Sequence, residues 1–125
     1  MGVAASAVAL WGWAVLQHAG ARRRNRAVLD GMLRRPLTFT EHAACRMDCR
    51  FVTRQQVAAA LRQGELNAMK SDLAARPCPK VVVDAELASG AGGRKAVQAV
   101  FAACRAETRV VTVIDKSTNW PCGPC

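Results

Sequence analysis

The chain has 125 residues, a net charge of +9 and 51% hydrophobic residues, which suits one domain with a real core. Residues 1–36 hold six arginines and one aspartate, so the remaining residues carry an excess of only +4. That excess favours an anionic partner. The absence of tyrosine and the small number of aromatic residues argue against a single-strand nucleic-acid binder that relies on base stacking.

Residues 1–21 contain no charged side chain, and we predict an apolar N-terminal helix there. Three interpretations stay open. In the first, residues 3–21 anchor the protein in the inner membrane, and the arginines from Arg22 onward keep the domain in the cytoplasm. In the second, translation begins at Met32 and the upstream residues are spurious. In the third, the segment is a cleaved signal peptide. Residues 22–37 read as a basic linker.

Two helix starts follow the linker. Thr40 is a good N-cap, and Glu41 suits the first turn of a helix that continues through Cys49. Thr53 and Gln56 form a capping box for a second helix, and Gly64 predicts its end. The domain of residues 38–125 therefore begins with two helices.

Three β-rich runs complete the domain. They begin at Val81, Val97 and Arg109, and turn residues separate them. We predict an α+β fold in which two N-terminal helices precede a three-stranded antiparallel sheet.

Six cysteines leave their chemistry open between metal and disulfide. His42, Cys45 and Cys49 share a helix face, while Cys122 and Cys125 form a C-x-x-C pair near the C-terminus. Together these residues predict either a structural zinc site, Cys₄ or Cys₃His, or disulfides between helix and tail. The alternative is that Cys45 and Cys49 are buried small hydrophobic side chains. Cys78 and Cys104 are predicted as core or loop thiols.

His42, Arg46 and Arg50 are the candidate catalytic residues. An imidazole that moves a proton beside two guanidinium groups that hold a phosphate would suit phosphodiester cleavage. The alternative is that the arginines are solvated and pair with nearby carboxylates.

The segment Thr40-Glu41-His42-Ala43-Ala44-Cys45-Arg46-Met47-Asp48-Cys49-Arg50, with the helix that follows it, resembles the bacterial domain-of-unknown-function family DUF4258. The resemblance covers about residues 38–125 and includes the strand from Arg109 and the Trp-plus-cysteine tail. It implies an α+β domain similar to toxin ribonucleases of the RelE and BrnT type.

Two functions follow as hypotheses. The first is a non-enzymatic binding or regulatory module stabilised by zinc or a disulfide. The second is a RelE/BrnT-like toxin endoribonuclease or RNA-binding protein. The corresponding partners are RNA, or an acidic partner protein such as an antitoxin.

Overall fold

A mixed β-sheet forms the centre of the structure, a computed structural model that describes residues 3–89 and 92–125. Helices cover one face of this sheet. In chain order, the elements are α1 (Val3–Leu33), β1 (Leu37–Phe39), α2 (Glu41–Cys49), α3 (Arg54–Gln63), β2 (Glu65–Leu66), β3 (Lys80–Ala88), β4 (Arg94–Ala103) and β5 (Thr108–Asp115).

The sheet has five strands in the order β1-β5-β4-β3-β2, and its β1–β5 pair is parallel. The predicted three-stranded antiparallel sheet is therefore wrong, although its three strands are present as β3, β4 and β5. Short strands extend this meander at both edges. β1 pairs with β5 through Leu37 and Thr108, and β2 pairs with β3 through Glu65 and Asp84.

The core lies between the helices and one face of the sheet. Side chains alternate between the two faces of a strand, so Val81 and Val83 of β3 and Val97 and Phe101 of β4 point the same way. All four are buried. Helix α2 lies against β5 and α3 lies against β3.

Helix α1 differs from the predicted apolar helix. It runs without interruption from Val3 to Leu33, so it includes four arginines and most of the residues predicted as a basic linker. Arginine is a good helix former, and Leu29 and Met32 lie three residues apart and are buried in the core. The second half of α1 therefore belongs to the packed domain.

Arg26 fastens α1 to the end of α3. Its guanidinium donates hydrogen bonds to the carbonyl oxygens of Leu61, Arg62 and Gly64, and the bond to Arg62 is 3.0 Å long. These carbonyls lie at the negative end of the α3 dipole and have no partner within the helix. The Arg26 cation therefore stabilises the end of α3, and it also fixes the position of α1 relative to α3.

Membrane anchoring through residues 3–21 is not supported. No helix among the described residues combines the length and the apolar character that crossing a bilayer requires.

Both predicted helix starts are confirmed. The Thr40 side chain accepts a hydrogen bond from the Ala43 amide at 3.0 Å, which caps α2. Thr53 and Gln56 form the reciprocal capping box of α3, with bonds of 2.9 and 3.1 Å. Local hydrogen bonding thus sets where each helix begins.

Gly64 ends α3 as predicted, and it also permits a close approach between α3 and β3. A Cβ atom at this position would lie 2.5 Å from the Ala60 oxygen, 2.7 Å from Val83 Cγ1 and 2.8 Å from the Asp84 oxygen. Two of these three neighbours are backbone atoms, so they cannot move away on their own.

Replacement of Gly64 by alanine should therefore lower the free energy of unfolding by about 1–3 kcal/mol, as overpacking does in other cores. Urea denaturation would measure the loss. Gly31→Ala is the matched control, because Gly31 lies inside α1 with only the flexible Arg34 side chain nearby, at 3.8 Å. That variant should be neutral or slightly stabilising. Equal losses in both variants would contradict the close-packing argument.

Candidate functional site

The candidate site is built around α2 and the chain after β5, residues 116–125, which we call the tail. Ala43 and Met47 bury one side of α2 against the sheet. Cys45 and Cys49 lie on the side that the tail reaches. The tail has no helix or strand of its own, so its position depends on side-chain contacts and covalent bonds.

Two disulfides join the tail to α2. Cys45 bonds to Cys125 and Cys49 bonds to Cys122, with Cα–Cα distances of 5.8 and 5.6 Å. Of the three interpretations left open for these cysteines, the structure contains the disulfides. Cys45 and Cys49 are one helical turn apart, so the tail crosses a single face of α2.

A third disulfide joins Cys78 to Cys104, with a Cα–Cα distance of 5.0 Å. The prediction of two unpaired thiols was wrong, although the register of the β3–β4 hairpin carries the signal. Lys80 pairs with Ala102 in an antiparallel register. Extending that register by two residues, from 80 to 78 and from 102 to 104, places Cys78 opposite Cys104. Because that register depends on an assumed hairpin turn, cysteine spacing alone did not predict the bond.

The three candidate catalytic residues differ in their surroundings. Arg50 donates to the Val113 carbonyl of β5 at 2.5 Å, and Arg46 donates to the Gly123 carbonyl of the tail at 3.4 Å. His42 is exposed, and no hydrogen bond or ion pair within the described residues involves it. Two of the three side chains thus bind backbone oxygens and have a structural role.

A buried ion pair, missed at the sequence level, lies where the tail leaves the sheet. Lys95 Nζ is 3.5 Å from Asp115 Oδ2, and the two side chains are 11% and 0% exposed. The same ammonium donates to the carbonyls of Arg50 and Phe51 at 3.1 and 2.9 Å. Lys95 therefore neutralises the carboxylate and also stabilises the C-terminal end of α2.

Trp120 closes this cluster from the tail side. Its indole Nε1 donates to Asp115 Oδ2 at 2.7 Å, and the Ser117 amide donates to Asp115 Oδ1 at 2.9 Å. The Trp120 ring contacts Phe51 with a centroid separation of 4.8 Å. Lys95, Asp115 and Trp120 together form what we call the tail clasp.

The tail clasp keeps Asp115 ionised. Burial alone would raise the pKa of this carboxyl, but the hydrogen bonds from Trp120 and Ser117 and the nearby Lys95 outweigh it, so the pKa lies below its ordinary value. An ionised carboxylate that accepts these bonds positions the tail. The Lys95 ammonium has three hydrogen-bond donors and contacts three oxygen atoms, so no donor is left over to bind a substrate.

Phe51 has a backbone conformation that non-glycine residues rarely adopt, with φ at 55°. It follows the end of α2, and its carbonyl accepts the Lys95 hydrogen bond. Its side chain is 66% exposed and carries the contact with Trp120. The strained residue thus turns the chain between α2 and α3 and presents a ring to the tail.

The fold and the tail clasp define a small α+β domain whose tail is joined to α2 by two disulfides and to the end of β5 by the hydrogen bond from Trp120 to Asp115. The family model described as Domain of unknown function (DUF4258) matches residues 39–115, more than half of the chain. The chain belongs to this family, which confirms the resemblance seen in the sequence.

The match ends at Asp115, so α1 and the tail lie outside it. Within the matched residues are Cys45, Cys49 and Lys95, while their tail partners Cys122, Cys125 and Trp120 lie beyond. No curated protein and no solved structure matches the chain. The likeness to toxins of the RelE and BrnT type therefore has no support from these comparisons.

Proposed function

We propose that this protein is a non-catalytic binding domain that holds an acidic segment of a partner protein against one end of its sheet. The observation that carries the proposal is a set of six cationic side chains at that end. We call them the basic end: Arg34, Arg35, Arg76, Lys80, Arg105 and Arg109.

The strand register brings these residues together. β3 begins where β4 ends, with Lys80 opposite Ala102, and β5 begins beside Ala103. Because β1 runs parallel to β5, Leu37 begins at the same end, next to Thr108. Residues 34–35 directly precede β1, and residues 105 and 109 lie in and just after the β4–β5 turn.

The Cys78–Cys104 disulfide fixes the loop that carries Arg76. Arg76 is two residues before Cys78, and the partner Cys104 directly precedes Arg105. The Ala103 amide also donates to the Pro79 carbonyl at 2.9 Å. These bonds hold the two loops side by side, so their arginines are pre-positioned for one ligand.

Few carboxylates offset this charge. Glu107 pairs with Arg109, whose hydrogen bond lowers the pKa of the carboxyl, and Asp72 lies near the start of β3. Five of the six cationic residues are exposed, and Arg35 is half-buried. The surface therefore keeps a positive field that steers an anionic ligand towards it.

An acidic protein segment suits this surface better than a nucleic acid. Guanidinium groups bind carboxylates through paired hydrogen bonds. Single-stranded nucleic acids also need aromatic platforms, and the exposed aromatic side chains that the structure describes, Trp13 and Phe51, lie on α1 and after α2. The structural roles of Arg46 and Arg50 argue against an endoribonuclease centred on His42.

Binding to a labelled polyglutamate peptide tests the proposal. The triple variant Arg76→Gln/Lys80→Gln/Arg105→Gln should raise Kd by about tenfold or more, which corresponds to about 1.4 kcal/mol. Binding by the wild type should also weaken as salt increases. The matched control is Arg23→Gln/Arg24→Gln/Arg62→Gln, which removes the same charge from exposed arginines elsewhere and should bind like the wild type.

Three results would overturn the proposal. The first is equal weakening in the control variant, since that would mean the total charge and not the basic end attracts the peptide. The second is cleavage of an RNA oligonucleotide by the wild type that His42→Ala abolishes. Preferential binding of uncleaved RNA over polyglutamate would contradict the assignment to a protein partner.

A further inference from the structure

The two disulfides between α2 and the tail place four sulfur atoms in one small region. Cys45 and Cys49 are four residues apart on a helix, so their Cβ atoms are about 6 Å apart. Across the gap, their partners Cys125 and Cys122 lie at Cα–Cα distances of 5.8 and 5.6 Å. The two disulfides therefore start one helical turn apart on the same face of α2.

The same four sulfur atoms also suit a second role, as ligands of a metal ion. Structural zinc sites use four thiolates at about 2.3 Å from the metal, with pairs of ligands separated by about two to four residues. Cys45 and Cys49 have three residues between them, and Cys122 and Cys125 have two.

We propose that, once these two disulfides are reduced, Cys45, Cys49, Cys122 and Cys125 bind one zinc ion. A dithiol or phosphine supplies two electrons to each disulfide, which takes up two protons and becomes two thiols, while the reductant is oxidised. Zn²⁺ then displaces the thiol protons and binds four thiolates. The tail is therefore fastened to α2 by disulfides in oxidising surroundings and by zinc in reducing ones.

Contacts that involve no sulfur hold the reduced tail near α2 before the metal binds. Trp120 donates to Asp115, and Arg46 donates to Gly123 between the two tail cysteines. These bonds keep Cys122 and Cys125 close to the helix, so the site forms at a smaller entropic cost than it would with a free tail. Cys45 and Cys125 are exposed, which gives a reductant access.

The third disulfide provides an internal control. In the oxidised protein no group of three or more histidine, cysteine, aspartate or glutamate side chains within the described residues is arranged for a metal, so any such site depends on reduction. Cys78 and Cys104 bring only two sulfurs together. Reduction of this pair therefore creates two thiols that lack the further ligands of a structural zinc site.

Metal titration of the reduced full-length chain tests the inference. The protein is reduced anaerobically with a phosphine, desalted and titrated with Co²⁺. One equivalent should bind and give the thiolate charge-transfer and tetrahedral ligand-field absorption of a four-sulfur site, and one equivalent of Zn²⁺ should remove both. Zinc should also raise the Tm of the reduced protein, since it binds the folded state.

The variant Cys49→Ser/Cys122→Ser should lose this stoichiometric binding, whereas Cys78→Ser/Cys104→Ser should keep it at one equivalent. Circular dichroism of both variants before titration establishes that each is folded. The inference is overturned if reduced wild-type protein binds no equivalent of cobalt. It is also overturned if both variants bind the metal alike, or if the fully oxidised protein binds it, because the ligands would then lie elsewhere.

Discussion

Replacement of Asp115 by alanine should lower the free energy of unfolding by about 3–5 kcal/mol, the cost of leaving one buried charge without its partner. The buried Lys95 ammonium would lose the carboxylate of Asp115 that neutralises it, and the Trp120 indole would lose its hydrogen-bond acceptor. Urea denaturation monitored by circular dichroism would measure the change. Asp48→Ala is the matched control, because Asp48 is exposed on α2 and forms no ion pair in the described structure.

A loss below about 1 kcal/mol in Asp115→Ala would contradict a stabilising role for the tail clasp, because exposed ion pairs contribute no more than that. The second half of the test is Lys95→Met. If Lys95 and Asp115 act as a pair, the two substitutions combined should cost clearly less than the sum of their separate effects. Strict additivity would show that the two side chains stabilise the fold independently.

The same carboxylate gives a pH dependence with a definite sign. The folded state lowers the pKa of Asp115, so its contribution is fully present above the unfolded value of about 3.9 and is lost as pH falls through the lower folded value. The stability difference between wild type and Asp115→Asn should therefore be constant near neutral pH. It should shrink as the solution is acidified below about pH 4.

Removal of the two disulfides between α2 and the tail should be strongly non-additive. The pairs Cys45–Cys125 and Cys49–Cys122 span 80 and 73 residues, but either one alone already closes the long loop. The second bond then restrains only the few residues between the two. By loop-entropy arguments, loss of one disulfide should cost about 2.5 kcal/mol, and loss of both about 7 kcal/mol.

The variants Cys45→Ser/Cys125→Ser, Cys49→Ser/Cys122→Ser and the quadruple replacement measure these costs by urea denaturation under oxidising conditions. Cys78→Ser/Cys104→Ser is the control, because its loop of 26 residues lies within the longer loops and shortens them only modestly, so its effect should nearly add to the others. If the quadruple variant lost only the sum of the losses in the two double variants, the two bonds would not share a loop as the structure describes.

The helices of this fold follow from local rules. Thr40, the Thr53–Gln56 capping box and Gly64 each act through hydrogen bonds within a few residues, so the sequence predicts them directly. The apolar and basic halves of α1 were predicted as separate segments because their compositions differ. Composition alone does not show that Leu29 and Met32 lie on one buried face of the same helix.

The edges of the sheet could not be predicted in the same way. β1 has three residues and β2 has two, too few for an alternating pattern to appear. The parallel pair joins Leu37 to Thr108, and nothing near either residue specifies that partner. Such non-local pairings depend on the packing of the whole chain.

In the candidate site, too, local features were predicted from the sequence and non-local contacts were not. Cys45, Cys49, Cys122 and Cys125 were predicted together from spacing, because the helical period and the C-x-x-C pair are local patterns. The Lys95–Asp115 pair requires the β4–β5 register, in which Val97 lies opposite Asp115 and Lys95 faces the same side two residues away. Arg46 and Arg50 show that a basic helix face serves as structure when backbone oxygens lie within reach.

The central claim is that the tail is fastened to α2 in one specific pairing, and disulfide mapping tests it most directly. Trypsin cleaves after Arg46, Arg50 and Lys116, so non-reducing digestion of the oxidised protein should yield three peptides held together by two disulfides. Fragmentation of the tail peptide before Pro124 then separates Cys122 from Cys125. We predict that the Cys122 fragment carries peptide 47–50. Attachment of that peptide to Cys125, free thiols at these positions, or a bond from the tail to Cys78 or Cys104 would contradict the account.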